Sequence, residues 1–174
     1  TLRRKAEFVE DAQFGPVLSL PGGDDEAWVQ APGRALVDVD TVSVAGWLKV
    51  KDHTPWQRFF DLGRDRTRNF FLTPVGDERA DGCRARITVG GWSREQGPAT
   101  FRIRIGQWTH LAVVLDTTAK TLSLYVDGAR VGRTTDVDVS LTDVLDQENP
   151  DANKLYIGKS LYDDAALGAR LHDV

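Results

Sequence analysis

Apolar and polar side chains alternate with a period of two along much of this chain, most clearly between residues 106 and 128. In Gly106-Gln-Trp-Thr-His-Leu-Ala-Val-Val-Leu-Asp116, Leu111, Val113 and Leu115 fall on one face, and His110, Ala112 and Val114 on the other. Thr121-Leu-Ser-Leu-Tyr-Val-Asp-Gly128 repeats the phase, with Leu122, Leu124 and Val126 inward and Ser123, Tyr125 and Asp127 outward. Asp127-Gly128 suits a tight primed turn, because both central residues of that turn need positive φ. Together these segments predict an antiparallel meander.

Residues 41–50 alternate in the same way, with Val42, Val44, Gly46 and Leu48 set against Ser43, Ala45, Trp47 and Lys49. Further strands are predicted over 17–20, 27–29, 57–62, 69–73, 84–89, 99–105, 129–133 and 155–158. Turn signals separate them about every ten residues, the spacing of a β-sandwich. Helical periodicity is nearly absent, and only 143–149 predicts a short helical turn. Residues 1–14 are charged and weakly patterned, so they form a lead-in or edge segment before a single domain over 15–174. The predicted fold class is all-β, an antiparallel two-sheet sandwich.

The meander also resembles a known family. A "G-x-W-T-H-x-A-x-x-x-D" strand followed by "L-Y-V-D-G" is similar to the bacterial members of the laminin-G-like, or concanavalin A-like, jelly-roll domains. Val42-Ser-Val-Ala-Gly-Trp-Leu-Lys49 resembles their first long strand, and Gln57-Arg-Phe-Phe-Asp-Leu-Gly63 with Asn69-Phe-Phe-Leu-Thr-Pro74 the following pair. Leu155-Tyr-Ile-Gly-Lys-Ser160 and Gly168-Ala-Arg-Leu-His-Asp-Val174 resemble the final elements. The likeness spans residues 15–174 and implies a fold. It implies less about function, because this sandwich hosts lectins, hydrolases and adhesion modules alike.

Composition narrows the function classes. The net charge of −4 opposes nucleic-acid binding by the chain as a whole. No apolar run approaches membrane-spanning length. Cys83 is the single cysteine, so no intrachain disulfide can form, and it is expected to be a small buried filler. Sixteen of the 22 basic residues are arginine and methionine is absent, a bias compatible with a GC-rich bacterial genome. The first and last residues, Thr1 and Val174, are read as cuts from a longer protein.

Catalysis is not expected. Glucanases on the resembling fold carry two carboxylates on one strand, commonly Glu-x-Asp-x-Glu, because acid and nucleophile flank one glycosidic bond. None of Glu7, Glu10, Glu26, Glu78, Glu95 and Glu148 belongs to such a run. His53, His110 and His172 are scattered, and no serine sits in a nucleophile elbow.

Binding is the better prospect. The resemblance implies a structural Ca²⁺ pinning the amino-terminal loop to the last strand, with Asp24, Asp25 and Glu26 on the loop side and Asp173 on the closing strand. The alternative is an ordinary solvated turn. Strand phase puts Trp47, Trp108, His110 and Tyr125 on a non-core face, and Arg58 is added to them from the alternation of residues 58–62. On that face aromatic rings would stack on sugar C–H groups, or they would instead pack under a covering loop or the amino-terminal arm. Arg84, Arg86, Arg102 and Arg104 would share one face if their strands were neighbours, suiting uronates or sulfates; otherwise they form a solvated ladder. Trp56 and Trp92 lie in turn contexts that fit either a lectin rim or a plug for one end of the sandwich.

The expected protein is therefore a monomeric, extracellular, non-catalytic module. Its partner is a carbohydrate, bound through Trp47, Arg58, His110 and Tyr125. The alternative partner is a neighbouring domain, packed without any sugar site.

Overall fold

The computed structural model describes residues 1–23, 27–76 and 82–174. In chain order the strands are β1 (Leu2–Arg3), β2 (Glu7–Asp11), β3 (Gly15–Gly23), β4 (Trp28–Pro32), β5 (Thr41–Val50), β6 (Phe60–Asp65) and β7 (Arg68–Thr73). They continue with β8 (Arg84–Val89), β9 (Thr109–Asp116), β10 (Thr121–Val126), β11 (Ala129–Thr135), β12 (Lys154–Ile157) and β13 (Ala166–His172). One sheet has six strands in the order β1-β4-β12-β6-β7-β8, the other seven in the order β11-β10-β9-β5-β13-β3-β2, and every pairing is antiparallel. This is an antiparallel two-sheet sandwich, as the alternation predicts, with the jelly-roll layout that the family resemblance implies.

The core is what the period of two selects. From the seven-stranded sheet come Leu48, Leu111, Val113, Leu115, Leu122, Leu124 and Leu171, and from the six-stranded sheet Phe60, Leu62, Phe70, Leu72, Ala85 and Ile87, all buried. Each large side chain so removed from water contributes roughly 1.5–3 kcal/mol. Asp127 (φ 50°) and Gly128 (φ 80°) make the primed turn, and the Asp127 carboxylate accepts the His110 N–H at 2.9 Å.

The amino-terminal segment supplies an edge strand to each sheet, β1 beside β4 and β2 beside β3. Two predicted elements differ. Residues 101–105 form no strand, and Phe101 is 60% exposed while Ile103 is buried. Residues 96–101 instead follow β8 through irregular bonds, such as Cys83 N–H to Phe101 O at 3.1 Å, and Pro98 has no N–H to extend a ladder. The short helix is Leu141–Val144, earlier than the predicted 143–149, because Ser140 and Asp143 form a capping box at its start.

Candidate binding cleft

The sequence-predicted groove lies on the outer face of the seven-stranded sheet, where its half-buried rings are packed in part by Phe14. Trp47 sits opposite His110 on β9 and opposite His172 on β13. Phe14, from the β2–β3 turn, covers all three strands. Its ring is 5.4 Å from Trp47, 5.0 Å edge-on from Trp108 and 4.4 Å in a stack on His172. Beside it, Asp11 accepts the Gln13 N–H, the Arg170 guanidinium and the Trp108 indole N–H. The Gln13 N–H, Arg170, Trp108 and Lys49 together hold its carboxyl below the ordinary value, against the opposing effect of burial. Tyr125 faces Ala112 farther along the same sheet.

Arg58 does not join these rings. It precedes β6 and lies on the outer face of the six-stranded sheet, across the sandwich from Trp47, His110 and Tyr125. Four expected partners are thus divided between two faces. The Arg84–Arg104 ladder is also absent, since residues 101–105 leave the sheet.

Of the expected calcium ligands only Asp173 lies among the described residues. Asp24 and Asp25, with Glu26, lie outside the described residues. Antiparallel register places Gly23 against Ala166, the first residue of β13, whereas Asp173 follows the strand's last residue. Seven residues at about 3.3 Å each put roughly 23 Å between Ala166 and Asp173 along the strand. Among the described residues no group of three or more His, Cys, Asp or Glu is placed to hold a metal.

A different set of residues converges around Arg58. Its Nη1 donates to the Trp56 carbonyl at 2.6 Å and to Thr73 Oγ1 at 2.8 Å, its Nη2 pairs with Asp164 at 3.0 Å, and its Nε is 3.7 Å from Asp61. The guanidinium lies over the rings of Phe71 and Tyr162, at 4.1 and 5.6 Å. Only 3% of Arg58 is exposed. Burial pushes the Asp61 carboxyl up to about 7, despite the opposing pull of Arg58 and the Leu161 N–H. The loop between β12 and β13 closes over this network: Leu161 N–H reaches Asp61 at 2.8 Å, and Ser160 Oγ reaches Asp164 at 2.9 Å.

Above the network opens a cleft of about 420 Å³ lined by Trp56, Arg58, Arg84, Trp92, Glu95, Tyr162 and Asp164. Arg84 pairs with Glu95 and lies 5.0 Å from the centre of the Trp56 ring. Trp56 itself has φ 67°, a strained conformation for a bulky residue and one that costs about 1–3 kcal/mol. Its N–H donates to Val75 O, and its carbonyl accepts from Arg58. Trp92 is lifted clear of the sheet by Gly90 and Gly91, whose φ values of 112° and 80° suit glycine alone. Seventy-nine per cent of Trp92 is exposed. Beyond it a second depression of about 340 Å³ is lined by Arg66, Thr67, Gly90, Gly91, Trp92 and Tyr162. Burial, then Glu95, raises the Tyr162 hydroxyl to about 12. A wider hollow of about 560 Å³ adjoins the cleft at Glu95 but has no aromatic lining.

The profile of the Concanavalin A-like lectin/glucanases superfamily matches residues 22–174. The chain belongs to that superfamily. No curated protein sequence matches it. Its fold is similar to domain 4 of AbnA, a GH43 extracellular arabinanase from Geobacillus stearothermophilus solved with arabinotriose. That likeness has a TM-score of 0.74 and 19% identity, over 99% of this chain and 81% of the other. It is also similar to the CBM40 of the Ruminococcus gnavus IT-sialidase bound to α2,3-sialyllactose (TM-score 0.68, 12% identity, 91% and 90% covered). A SAP-like pentraxin from Limulus polyphemus shares the fold more distantly (TM-score 0.58, 15% identity, 89% and 72% covered).

Within this concanavalin A-like domain, sequence reasoning singled out Arg58, Trp56 and Trp92 but assigned the first to the wrong face. It missed Glu95, Tyr162 and Asp164. Their signal was faint: a polar Ser-Leu-Tyr-Asp-Asp run over 160–164 between two strands, and a lone Glu after Trp92.

Proposed function

We propose that this domain is a non-catalytic carbohydrate-binding module of a larger extracellular or surface protein, and that it binds sugar in the cleft between Trp56 and Trp92. The observation that carries the reading is the exposed Trp92 ring beside a recess lined with Arg58, Arg84, Glu95 and Asp164. Aromatic faces match the C–H faces of pyranose and furanose rings, and fixed charged groups hold hydroxyls by hydrogen bonds. Likeness to modules solved with bound sugars supports the reading at the level of fold.

A glycan array on the isolated chain tests it, with Trp92→Ala alongside and EDTA in a parallel arm. Binding that Trp92→Ala removes supports the site. Loss on EDTA treatment would assign a role to a bound divalent cation. A panel of chromogenic glycosides left unhydrolysed would support the non-catalytic assignment.

A second reading, a protein-interaction module, draws on a different feature. An apolar slot of about 530 Å³ opens between the sheets, lined in part by Leu2, Phe8, Leu18, Val44, Leu155 and Ile157. Phe8 is 67% exposed there. A blank array from a folded sample would favour this reading.

A further inference from the structure

Resting on the proposed sugar site, we infer that the cleft between Trp56 and Trp92 selects uncharged glycans and discriminates against sugars bearing carboxylate or sulfate groups, despite its two arginines. The described residues lining it carry two guanidinium groups, Arg58 and Arg84, and two carboxylates, Glu95 and Asp164. Each arginine is already matched. Arg58 pairs with Asp164 at 3.0 Å and stands over buried Asp61, while Arg84 pairs with Glu95 and packs on the Trp56 ring. Arg86, the next outward arginine on β8, donates to the Ala85, Gly97 and Pro98 carbonyls and also approaches Glu95 at 3.9 Å.

A ligand carboxylate entering this cleft would have to displace Glu95 from Arg84 or Asp164 from Arg58. The displaced carboxylate would remain in a half-enclosed recess beside a second anion, which is unfavourable. A neutral sugar faces no such exchange. Glu95 and Asp164 keep free lone pairs that accept from hydroxyls, and the guanidinium N–H groups donate to hydroxyl or ring oxygens. Adjacent ring hydroxyls, one donating to a carboxylate and one accepting from its paired arginine, suit such a salt bridge. Trp92 supplies the stacking face.

The test compares matched probes at fixed ionic strength by titration calorimetry. Galactotriose is set against trigalacturonate and lactose against sialyllactose, within a wider panel of neutral gluco-, xylo-, manno- and arabino-oligosaccharides. The expected result is binding to at least one neutral oligosaccharide and affinity at least tenfold lower for carboxylate-bearing counterparts. Glu95→Gln, with Asp164→Asn as a second variant should the first fail to fold, is expected to shift the ratio of acidic to neutral affinity upward by tenfold or more, because it removes from the cleft a carboxylate that opposes an incoming anion. Preference of the unaltered protein for the acidic probes, lost in Trp92→Ala, would overturn the inference and leave the sugar site standing. Binding that ignores Trp92→Ala, or no binding by a sample shown folded by circular dichroism, would overturn both.

Discussion

The ring of Phe14 stacks on the imidazole of His172 at 4.4 Å between centroids and 14° between planes. Through that contact the β2–β3 turn is clamped onto the middle of the seven-stranded sheet, over Trp47 and Trp108. Part of the aromatic face that alternation exposes on paper is covered by the chain's own amino-terminal segment. Phe14→Ala is expected to destabilise the fold by roughly 1–3 kcal/mol, measured by urea unfolding, without weakening sugar affinity. A gain in sugar affinity would instead mean that the ligand belongs on that face.

Trp92 and Trp47 should respond in opposite ways. Trp92→Ala removes a ring that is largely in water, so the melting temperature should hold while sugar binding falls below detection. Trp47→Ala breaks the cluster with Phe14 and His110, so it should lower stability and spare binding. Differential scanning fluorimetry with calorimetry on both variants checks the pair.

Arg58 holds the six-stranded face together. It joins Trp56, Thr73, Asp61 and Asp164, and its removal leaves buried Asp61 and half-buried Asp164 without their cation. Arg58→Ala should cost about 3–5 kcal/mol in denaturant unfolding. A loss under 1 kcal/mol would show that the network contributes little.

Asp61 makes stability depend on pH with a definite sign. Its carboxyl titrates near 7 in the folded protein against 3.8 ordinarily. Between those values the folded state holds a proton that the unfolded state has released, so the Asp61 contribution to stability falls as pH rises through that window. Below 3.8 both states are protonated and the contribution is flat. Asp61→Asn should therefore gain stability relative to the unaltered protein as pH goes from 4 to 8. Unfolding free energies of both proteins across this range would show it, and a constant difference would refute it.

Cys83 is fully buried, and burial pushes its thiol up to about 12. The native protein should not react with a thiol reagent at pH 8 over an hour, while the unfolded chain should react within minutes. Fast labelling of the native state would mean that the 82–83 segment opens readily.

Much of this architecture was legible in residue order. Alternation in 109–116 and 121–126 assigned inward and outward side chains correctly, since a strand's pleat leaves no other choice. Asp127-Gly128 announced a turn because few residues tolerate its φ values. The all-β sandwich follows from those local rules. Periodicity states only whether a side chain points into the core or away from it. It does not say into which of two sheets the strand is laid, or which end of a neighbour it meets. Arg58 and Trp47 both point outward, yet β6 pairs with β7 and β12 while β5 pairs with β9 and β13, so they look out from opposite sides. Asp173 belongs to the closing segment, but antiparallel register with β3 carries it away from Gly23. Glu95 comes from the segment after β8, and Tyr162 and Asp164 from the β12–β13 loop; they meet Arg58 only because the sheet brings these segments to one side of the sandwich. Local sterics settled the strands and turns, while long-range hydrogen-bond pairing, which no short window of sequence encodes, decided the cleft.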